Sequence, residues 1–136
     1  MLNKLSHKRA GFTLVEIMIV VAIIALLAAI AVPGFLRARK RSQASKIIND
    51  LRLIDAAVDQ YAIETNKITG SPVGTDDWKK YIKKDTSLYN TGADLFGNPY
   101  STSMVVDSHA MVPRAAFDAL SDVAPEEFWS PYPIAD

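Results

Sequence analysis

The sequence predicts an α+β fold in which a long N-terminal α-helix packs against a small head with short helices and a small antiparallel sheet. Three observations predict it. The residues from Phe12 to Val32 form one apolar run, and apolar residues then recur at helical spacing as far as residue 62. Beyond that point, short apolar segments alternate with Gly, Asn and Pro residues that mark turns. The first half of the helix is predicted to span a membrane and the second half to be amphipathic.

The apolar run forms the first half of the predicted helix. As an α-helix, residues 12–32 would be about 31 Å long, close to the hydrocarbon thickness of a bilayer. No polar residue occurs from Ile17 to Val32. Basic residues flank the run on both sides, namely Lys4, Lys8, Arg9, Arg37, Arg39, Lys40 and Arg41. Because both flanks are basic, the positive-inside rule does not by itself orient the segment.

Glu16 is a charged residue inside this otherwise apolar run. A carboxylate at the centre of a spanning helix costs roughly 2.5–3.5 kcal/mol, so either the helix keeps it out of the hydrocarbon or something offsets the charge. One interpretation is a secretory signal peptide that is cut after Ala31, at an Ala-Ile-Ala site. A second is a plain membrane anchor in which Glu16 snorkels to the headgroups. A third interpretation takes the whole string together.

The string GFTLVEIMIVVAIIALLAAIAVPGF closely resembles the leader junction and N-terminal helix of type IV pilins and type II secretion pseudopilins. The resemblance implies that a prepilin peptidase cuts after Gly11 and N-methylates Phe12, the new first residue. It also implies that the carboxylate of Glu16 pairs with the N-terminus of a neighbouring subunit during filament assembly. An α-amino group is mostly protonated at neutral pH, so a second chain would offset the charge of Glu16.

The second half of the helix is predicted to follow a kink. Pro33 and Gly34 end the apolar run, and a kink or local unwinding is expected there because proline removes a backbone N–H and clashes with the preceding turn. The apolar positions that recur afterwards are Ile47, Ile48, Leu51, Ile54, Val58, Tyr61 and Ala62. The more polar positions are Lys46, Asp50, Asp59 and Glu64. The helix is predicted to end between Asn66 and Gly70.

Short signals predict the elements of the head. The segment 75–77, Thr-Asp-Asp, offers an N-cap for a helix that presents Trp78, Tyr81 and Ile82 on one face. The lysines around that face are interpreted as solvated: Lys79, Lys80, Lys83 and Lys84. A strand is predicted from Tyr100 to Val106. Pro113 and Pro125 are expected to open two further helical segments. The first of them carries Ala116, Phe117 and Leu120, and the second ends in FWSPY.

The stretch DLFGNPY, residues 94–100, resembles the D-x-W-G-N-P-Y stretch of major pseudopilins of type II secretion systems. It departs from that pattern at Leu95, where the family commonly has Pro, and at Phe96, where it usually has Trp. The resemblance favours a pseudopilin over a major pilin. Major pilins often close a C-terminal loop with a disulfide, which a sequence without cysteine cannot form.

The sequence does not predict an enzyme or a resident cofactor. Asp107, Ser108 and His109 are consecutive, whereas catalytic triads assemble from separated segments. The chain has two histidines, and His7 lies in the predicted leader, so no histidine metal site is expected. Major pseudopilins often bind calcium in their C-terminal region, so calcium is kept as an alternative there. The carboxylates of this tail lack the dense spacing that calcium prefers, and are interpreted as a solvated face. They are Asp118, Asp122, Glu126 and Glu127.

The charge of the chain also limits which partners it is expected to bind. Lys and Arg balance Asp and Glu at 15 each, and loss of a leader at residues 1–11 would leave 12 basic residues against 15 acidic ones. An acidic mature chain has no general attraction for DNA, so no specific nucleic-acid partner is predicted. Lipid headgroups are the expected partner of the basic stretch RARKR, residues 37–41. No phosphate-binding glycine-rich loop occurs, so a filament ATPase would be a separate protein.

These observations lead to one interpretation and two alternatives. Residues 1–11 are predicted to be a prepilin leader, 12–35 a transmembrane and assembly helix, and 36–136 an amphipathic helix with a periplasmic head. The predicted protein is a single-pass inner-membrane subunit of a type II secretion pseudopilus that drives protein export. Its expected partners are copies of itself and related pilins, a prepilin peptidase, an assembly platform with its ATPase, and the bilayer. The alternatives are a type IV pilus subunit for adhesion, motility or DNA uptake, and an exported soluble binding protein or enzyme.

Overall fold

The computed structural model describes residues 11–100 and 103–136 and divides the chain into two compact units, Met1–Leu36 and Arg37–Asp136. Helix α1 (Leu14–Thr65) is the longest element. The elements after it are β1 (Pro72–Val73), α2 (Thr75–Lys79), α3 (Ser87–Thr91), β2 (Met104–Val105), α4 (Arg114–Leu120) and a 3₁₀ helix (Glu126–Trp129). The predicted α+β class, with a long N-terminal helix, short helices and a small antiparallel sheet, is confirmed.

The first unit holds the apolar part of α1. Its described residues, 11–36, are all exposed in the single chain, including large side chains such as Leu26, Leu27 and Ile30. By length and composition, α1 contains a segment apolar enough to cross a membrane. A helix that is apolar on every side needs a bilayer or other helices around it. Residues 1–10 of the predicted leader lie outside the described residues.

In the second unit, α1 supplies one side of the hydrophobic core. Its buried apolar residues are Ala44, Ile47, Leu51, Ile54, Ala57, Val58 and Ala62, while Ile48 and Tyr61 are half-buried. The predicted apolar face is therefore confirmed. Asp50, one of the more polar positions of this helix, has a buried side chain. It accepts a hydrogen bond from the hydroxyl of Tyr100, at 3.1 Å, which supplies the partner that burial requires.

Helix α1 ends at Thr65, one residue before the predicted range. Asn66 has a φ of 52°, in the left-handed region that asparagine tolerates better than most residues. The amide of Lys67 donates to the carbonyl of Ala62 at 2.9 Å, which satisfies one of the last free carbonyls of the helix. This left-handed cap turns the chain toward β1.

The sheet has two short antiparallel strands, with Pro72 opposite Val105 and Val73 opposite Met104. The predicted strand from Tyr100 to Val106 is too long, since the described part is confined to Met104–Val105 and residues 101–102 lie outside the described residues. Pro72 lacks an N–H to extend the ladder, and Asp107 has a φ of 68°, which ends the extended backbone.

The short helices of the head differ from the prediction in their caps. The N-cap of α2 is Gly74, whose amide donates to the Asp77 carboxylate at 3.0 Å, so the predicted cap within residues 75–77 is wrong. Trp78 and Ile82 are buried and Tyr81 is half-buried, as that face predicts. Helix α3 was not predicted. It begins at Ser87, after Thr86, whose hydroxyl accepts a hydrogen bond from the Tyr89 amide at 3.2 Å.

The two helical segments predicted near the C-terminus are present. Helix α4 begins directly after Pro113 and buries Ala116 and Leu120, while Phe117 is half-buried. The 3₁₀ helix begins directly after Pro125. Its Trp129 is fully buried, and the indole N–H donates to the carbonyl of Ala124 at 3.1 Å. Both segments therefore close the core of the second unit.

Candidate functional site

The predicted cleavage point lies in non-helical backbone just before α1. Residues 11–13 are outside any helix or strand, and α1 begins at Leu14. Phe12 is 85% exposed, and nothing lies within 4 Å of a Cβ built on Gly11. The two residues that flank the predicted cleavage point are therefore both exposed in the single chain. The roles predicted for these two residues stay predictions.

Glu16 forms a reciprocal cap with Thr13 at the start of α1. The amide of Thr13 donates to Glu16 Oε2 at 2.9 Å, and the amide of Glu16 donates to Thr13 Oγ1 at 3.2 Å. This is a capping box, in which the N-cap residue and the third helical residue each satisfy a free amide of the other. The sequence reasoning missed it, although Thr-x-x-Glu directly before an apolar run is its known signature.

The cap leaves part of the Glu16 carboxylate available. Within residues 11–100 and 103–136, Oε2 accepts the Thr13 amide, and Oε1 has no hydrogen-bond or ion-pair partner. The carboxylate also lies at the positive end of the α1 dipole, where a negative charge is stabilised. Glu16 is thus held at the N-terminal end of the helix and can still accept a donor from a second molecule.

Pro33 and Gly34 lie inside α1, which is helical on both sides of them. Nothing lies within 4 Å of a Cβ built on Gly34, so the surface beside it is open in the single chain. Proline cannot donate to the carbonyl four residues earlier, which is Ala29. The predicted kink stays a prediction.

The stretch 94–100 forms a tight loop around Asp94, which is 4% exposed. Its Oδ1 accepts the amides of Phe96 at 2.8 Å and Asn98 at 2.9 Å, and its Oδ2 accepts the side-chain amide of Asn98 at 3.0 Å. Gly97 has a φ of 87°, which favours glycine. This network explains why Asp, Gly and Asn occur together in the motif. The loop presents Phe96, which is 42% exposed.

Tyr100 ends this stretch and joins it to α1. Its ring is fully buried, and its hydroxyl donates to Asp50 Oδ2 at 3.1 Å. Burial, and then the negative charge of Asp50, raise the pKa of the Tyr100 hydroxyl far above its ordinary value. Lys46 lies 3.5 Å from the same Asp50 oxygen and partly balances that charge. The motif therefore anchors the head on α1.

Asp107, Ser108 and His109 do not act on one another. Asp107 accepts a hydrogen bond from the hydroxyl of Thr69, and Ser108 Oγ donates to the carbonyl of Val105 at 2.8 Å. The Nδ1 atom of His109 lies 2.7 Å from Asp55 Oδ2. Their three side chains have three separate partners, an arrangement that fits loop structure and does not resemble a catalytic triad.

Two of the four C-terminal carboxylates have basic partners. Asp118 lies 3.4 Å from Arg114 Nε, and Asp122 lies 2.9 Å from Lys40 Nζ. The hydrogen bond from Lys40 holds the pKa of Asp122 below its ordinary value, although partial desolvation opposes the shift. Among the residues that the structure describes, no group of three or more His, Asp or Glu side chains is arranged to hold a metal ion. Lys80, Lys83 and Lys84 are exposed, and Lys79 is half-buried.

Comparison with known proteins finds relatives for both the N-terminal motif and a longer part of the chain. Residues 6–32 match the family model described as the prokaryotic N-terminal methylation motif. The chain is 31% identical to type II secretion system core protein G of Pseudomonas aeruginosa over 104 residues, which are 69% of this chain and 72% of that protein. It is 32% identical to the protein of the same name from Escherichia coli over 104 residues, 70% of this chain and 72% of that protein.

A pilin is also similar over a shorter length. The type IV major pilin protein PilA of Myxococcus xanthus is 38% identical over 65 residues, which are 48% of this chain and 30% of that protein. No solved structure matches the chain. Similarity to the secretion proteins thus extends over more of the chain than similarity to this pilin.

Proposed function

The chain belongs to the family of type II secretion system core protein G, and from that premise we propose that it is a structural subunit of a pseudopilus that drives protein export. The observation that carries the proposal is the exposed apolar helical segment at residues 14–36, most of which lies within the matched methylation motif at residues 6–32 and which a folded head follows in the chain. Such a helix is not soluble in water as a monomer. It therefore resides first in the membrane and then in a bundle of identical helices. The proposed role is structural and needs no catalytic residue.

The proposed pathway begins with maturation. A prepilin peptidase cuts the bond between Gly11 and Phe12 and methylates the new N-terminus. Cleavage converts the peptide nitrogen of Phe12 into an amine that carries a positive charge at neutral pH. The exposed, non-helical backbone at residues 11–13 supports this step, because it leaves the bond free of helical hydrogen bonds.

Assembly then removes the helix from the bilayer. The Phe12 amine of one subunit pairs with Glu16 of its neighbour, using the carboxylate oxygen that the Thr13 cap leaves without a partner. Two unit charges 4 Å apart attract by about 4 kcal/mol at an effective dielectric constant of 20, before the cost of desolvation. The head stays in the periplasm, and a separate ATPase at the inner-membrane platform drives extraction.

A type IV pilus subunit is the second candidate, and the similarity to PilA favours it. The longer match to the secretion proteins supports the first candidate more strongly. The two differ in what is lost with the gene. Loss of a pseudopilus subunit stops the export of secreted proteins, and loss of a pilin removes surface fibres.

Mass spectrometry of the N-terminus of the membrane-bound protein tests the maturation step. In cells that contain a prepilin peptidase, we expect the mature chain to begin at Phe12 and to carry one added methyl group. A matched strain without the peptidase should retain the leader. A mature start at Val32 would indicate a secretory signal peptide and would contradict the proposal. An uncut chain in cells that process other prepilins would indicate a plain membrane anchor.

A further inference from the structure

The basic stretch at residues 37–41 separates into two kinds of residue. Lys40 is half-buried and pairs with Asp122 of the head, at 2.9 Å. Arg37, Arg39 and Arg41 are exposed, and the described parts of the chain, 11–100 and 103–136, offer none of them a carboxylate within 4 Å. None of the three guanidinium groups is therefore in direct contact with a carboxylate, although Arg37 lies near enough to Asp122 to help lower the pKa of that carboxyl group.

Their spacing suits a layer of phosphate groups. The positions of Arg37 and Arg41 are one helical turn apart, so they share a face of α1, while Arg39 lies on the other side. The three span about 6 Å along the helix axis, which is similar to the thickness of one headgroup layer. Arg37 directly follows Leu36, the last residue of the exposed apolar unit. One guanidinium group can bind two phosphate oxygens at once, so it holds a phosphate group in a more specific geometry than an ammonium group does.

We propose that Arg37, Arg39 and Arg41 form a binding site for the phosphate groups of anionic phospholipids, and that Lys40 takes no part because Asp122 holds it. The inference rests on the proposed function, since it requires residues 14–36 to lie in a bilayer. It adds to that function a preference for anionic phospholipids. It assigns the preference to the three arginines of the stretch and excludes Lys40.

Lipid binding to the full-length mature chain tests the proposal. The purified protein is reconstituted in vesicles to check that it resists carbonate extraction, and native mass spectrometry then compares its affinity for phosphatidylglycerol and phosphatidylcholine of equal chain length. We expect phosphatidylglycerol to bind at least about fivefold more tightly, since one basic residue near an anionic surface contributes about that factor. The triple variant Arg37→Gln, Arg39→Gln, Arg41→Gln should insert normally and lose the preference.

Two controls separate this site from charge in general. The triple variant Lys80→Gln, Lys83→Gln, Lys84→Gln makes the same change of charge on exposed residues of the head and should keep the preference. The double variant Lys40→Gln, Asp122→Asn removes the ion pair between these two residues without changing the net charge and should keep the preference within about twofold.

Several results would overturn the inference. Equal affinity for the two lipids in the wild type would do so, as would an unchanged preference in the arginine variant or an equal loss in the head-lysine variant. If the wild type inserts and shows no preference, this inference fails and the proposed function stands. If carbonate extracts the wild type, the proposed function fails with it. Loss of filaments in an arginine variant whose lipid preference is unchanged would indicate an acidic protein partner instead.

Discussion

Glu16 combines two interactions that act at different stages. Within the chain it caps α1 with Thr13, and the proposed assembly step uses its second oxygen to bind a neighbouring amine. A capping-box residue stabilises a helix start by roughly 1 kcal/mol, whereas a desolvated ion pair can contribute more. Glutamine can also form a capping box at this position, but it carries no charge. The two roles can therefore be separated by substitution.

Tyr100 and Asp50 form a buried polar pair whose effect on stability depends on pH. The pKa of Tyr100 is raised in the folded protein, so above the ordinary tyrosine pKa of about 10 the unfolded chain releases a proton that the folded chain retains. Stability contributed by the neutral hydroxyl is complete below pH 10 and is lost as the pH rises beyond it. The unfolding free energy should therefore be nearly constant from pH 8 to about pH 9 and fall as the pH rises through about 10 to about 11.

The variant Tyr100→Phe tests this assignment. At pH 7 it should be less stable by about 1–3 kcal/mol, because the buried Asp50 oxygen loses a donor. Between pH 8 and 11 its stability should fall less steeply than that of the wild type, as measured by urea unfolding. Tyr89→Phe is the control, since Tyr89 is half-buried and its hydroxyl is not the one that donates to Asp50. An identical alkaline loss in Tyr100→Phe and the wild type would show that Tyr100 is not responsible.

At the scale of elements, α1 joins two segments with different surroundings. Its exposed part lies in the unit Met1–Leu36, and its buried residues begin at Ala44, inside the unit Arg37–Asp136. All the core residues within the described ranges 11–100 and 103–136 belong to the second unit. The head and the second half of α1 thus have the core that independent folding requires.

A fragment of residues 41–136 should therefore be soluble, helical and cooperatively folded. The expected result is a single thermal transition by circular dichroism and a monomer by size-exclusion chromatography. A fragment of residues 37–136, which keeps Lys40 and its partner Asp122, is the matched comparison and should have a similar midpoint. Aggregation or the absence of a transition in both fragments would show that the boundary of the membrane segment is misplaced.

Periodicity predicted α1 well because both of its halves follow simple rules. The apolar run and the apolar face from Ile47 to Ala62 are visible in the sequence itself. The burial of Asp50 was not predictable in this way, because it depends on Tyr100, which lies 50 residues later in the chain. The contacts of Asp55 with His109 and with the Ala110 amide are likewise set by tertiary structure.

Local signals were less reliable in the head for the same reason. Helix α3 has only five residues, too few for a periodic pattern, and its cap at Thr86 was the one available indication. The strand around Met104 was predicted too long because strand length depends on a partner, which is two residues long here. At the N-terminus, Glu16 was recognised from the family motif, while its cap with Thr13 was present in the sequence and overlooked.

At the scale of the whole molecule, the exposed apolar helix and the folded head suit a subunit that serves in two environments. In the membrane, lipid surrounds the helix, and in a filament the helices of other subunits replace that lipid. In the proposed assembly, the charge of Glu16 is unfavourable in the first environment and paired in the second. On this proposal, a charge that opposes membrane residence and favours assembly would give the filament a thermodynamic advantage at each subunit contact.

Filament yield in Glu16 variants is the most direct test of this central claim. Filaments from cells that overproduce the system are sheared and pelleted, and secreted protein is measured in the same cultures. We expect Glu16→Gln and Glu16→Val to keep normal membrane levels and normal leader removal. Both should reduce filaments and secretion at least about tenfold, because about 1.4 kcal/mol lost at each contact is enough for that factor.

Glu126→Gln removes one negative charge from an exposed residue of the head and should assemble as the wild type does. If Glu16→Val fails while Glu16→Gln assembles normally, the cap with Thr13 accounts for the residue and the pairing with Phe12 is wrong. Wild-type yields of filaments and of secreted protein from both Glu16 variants would contradict the proposed role of this carboxylate in assembly altogether.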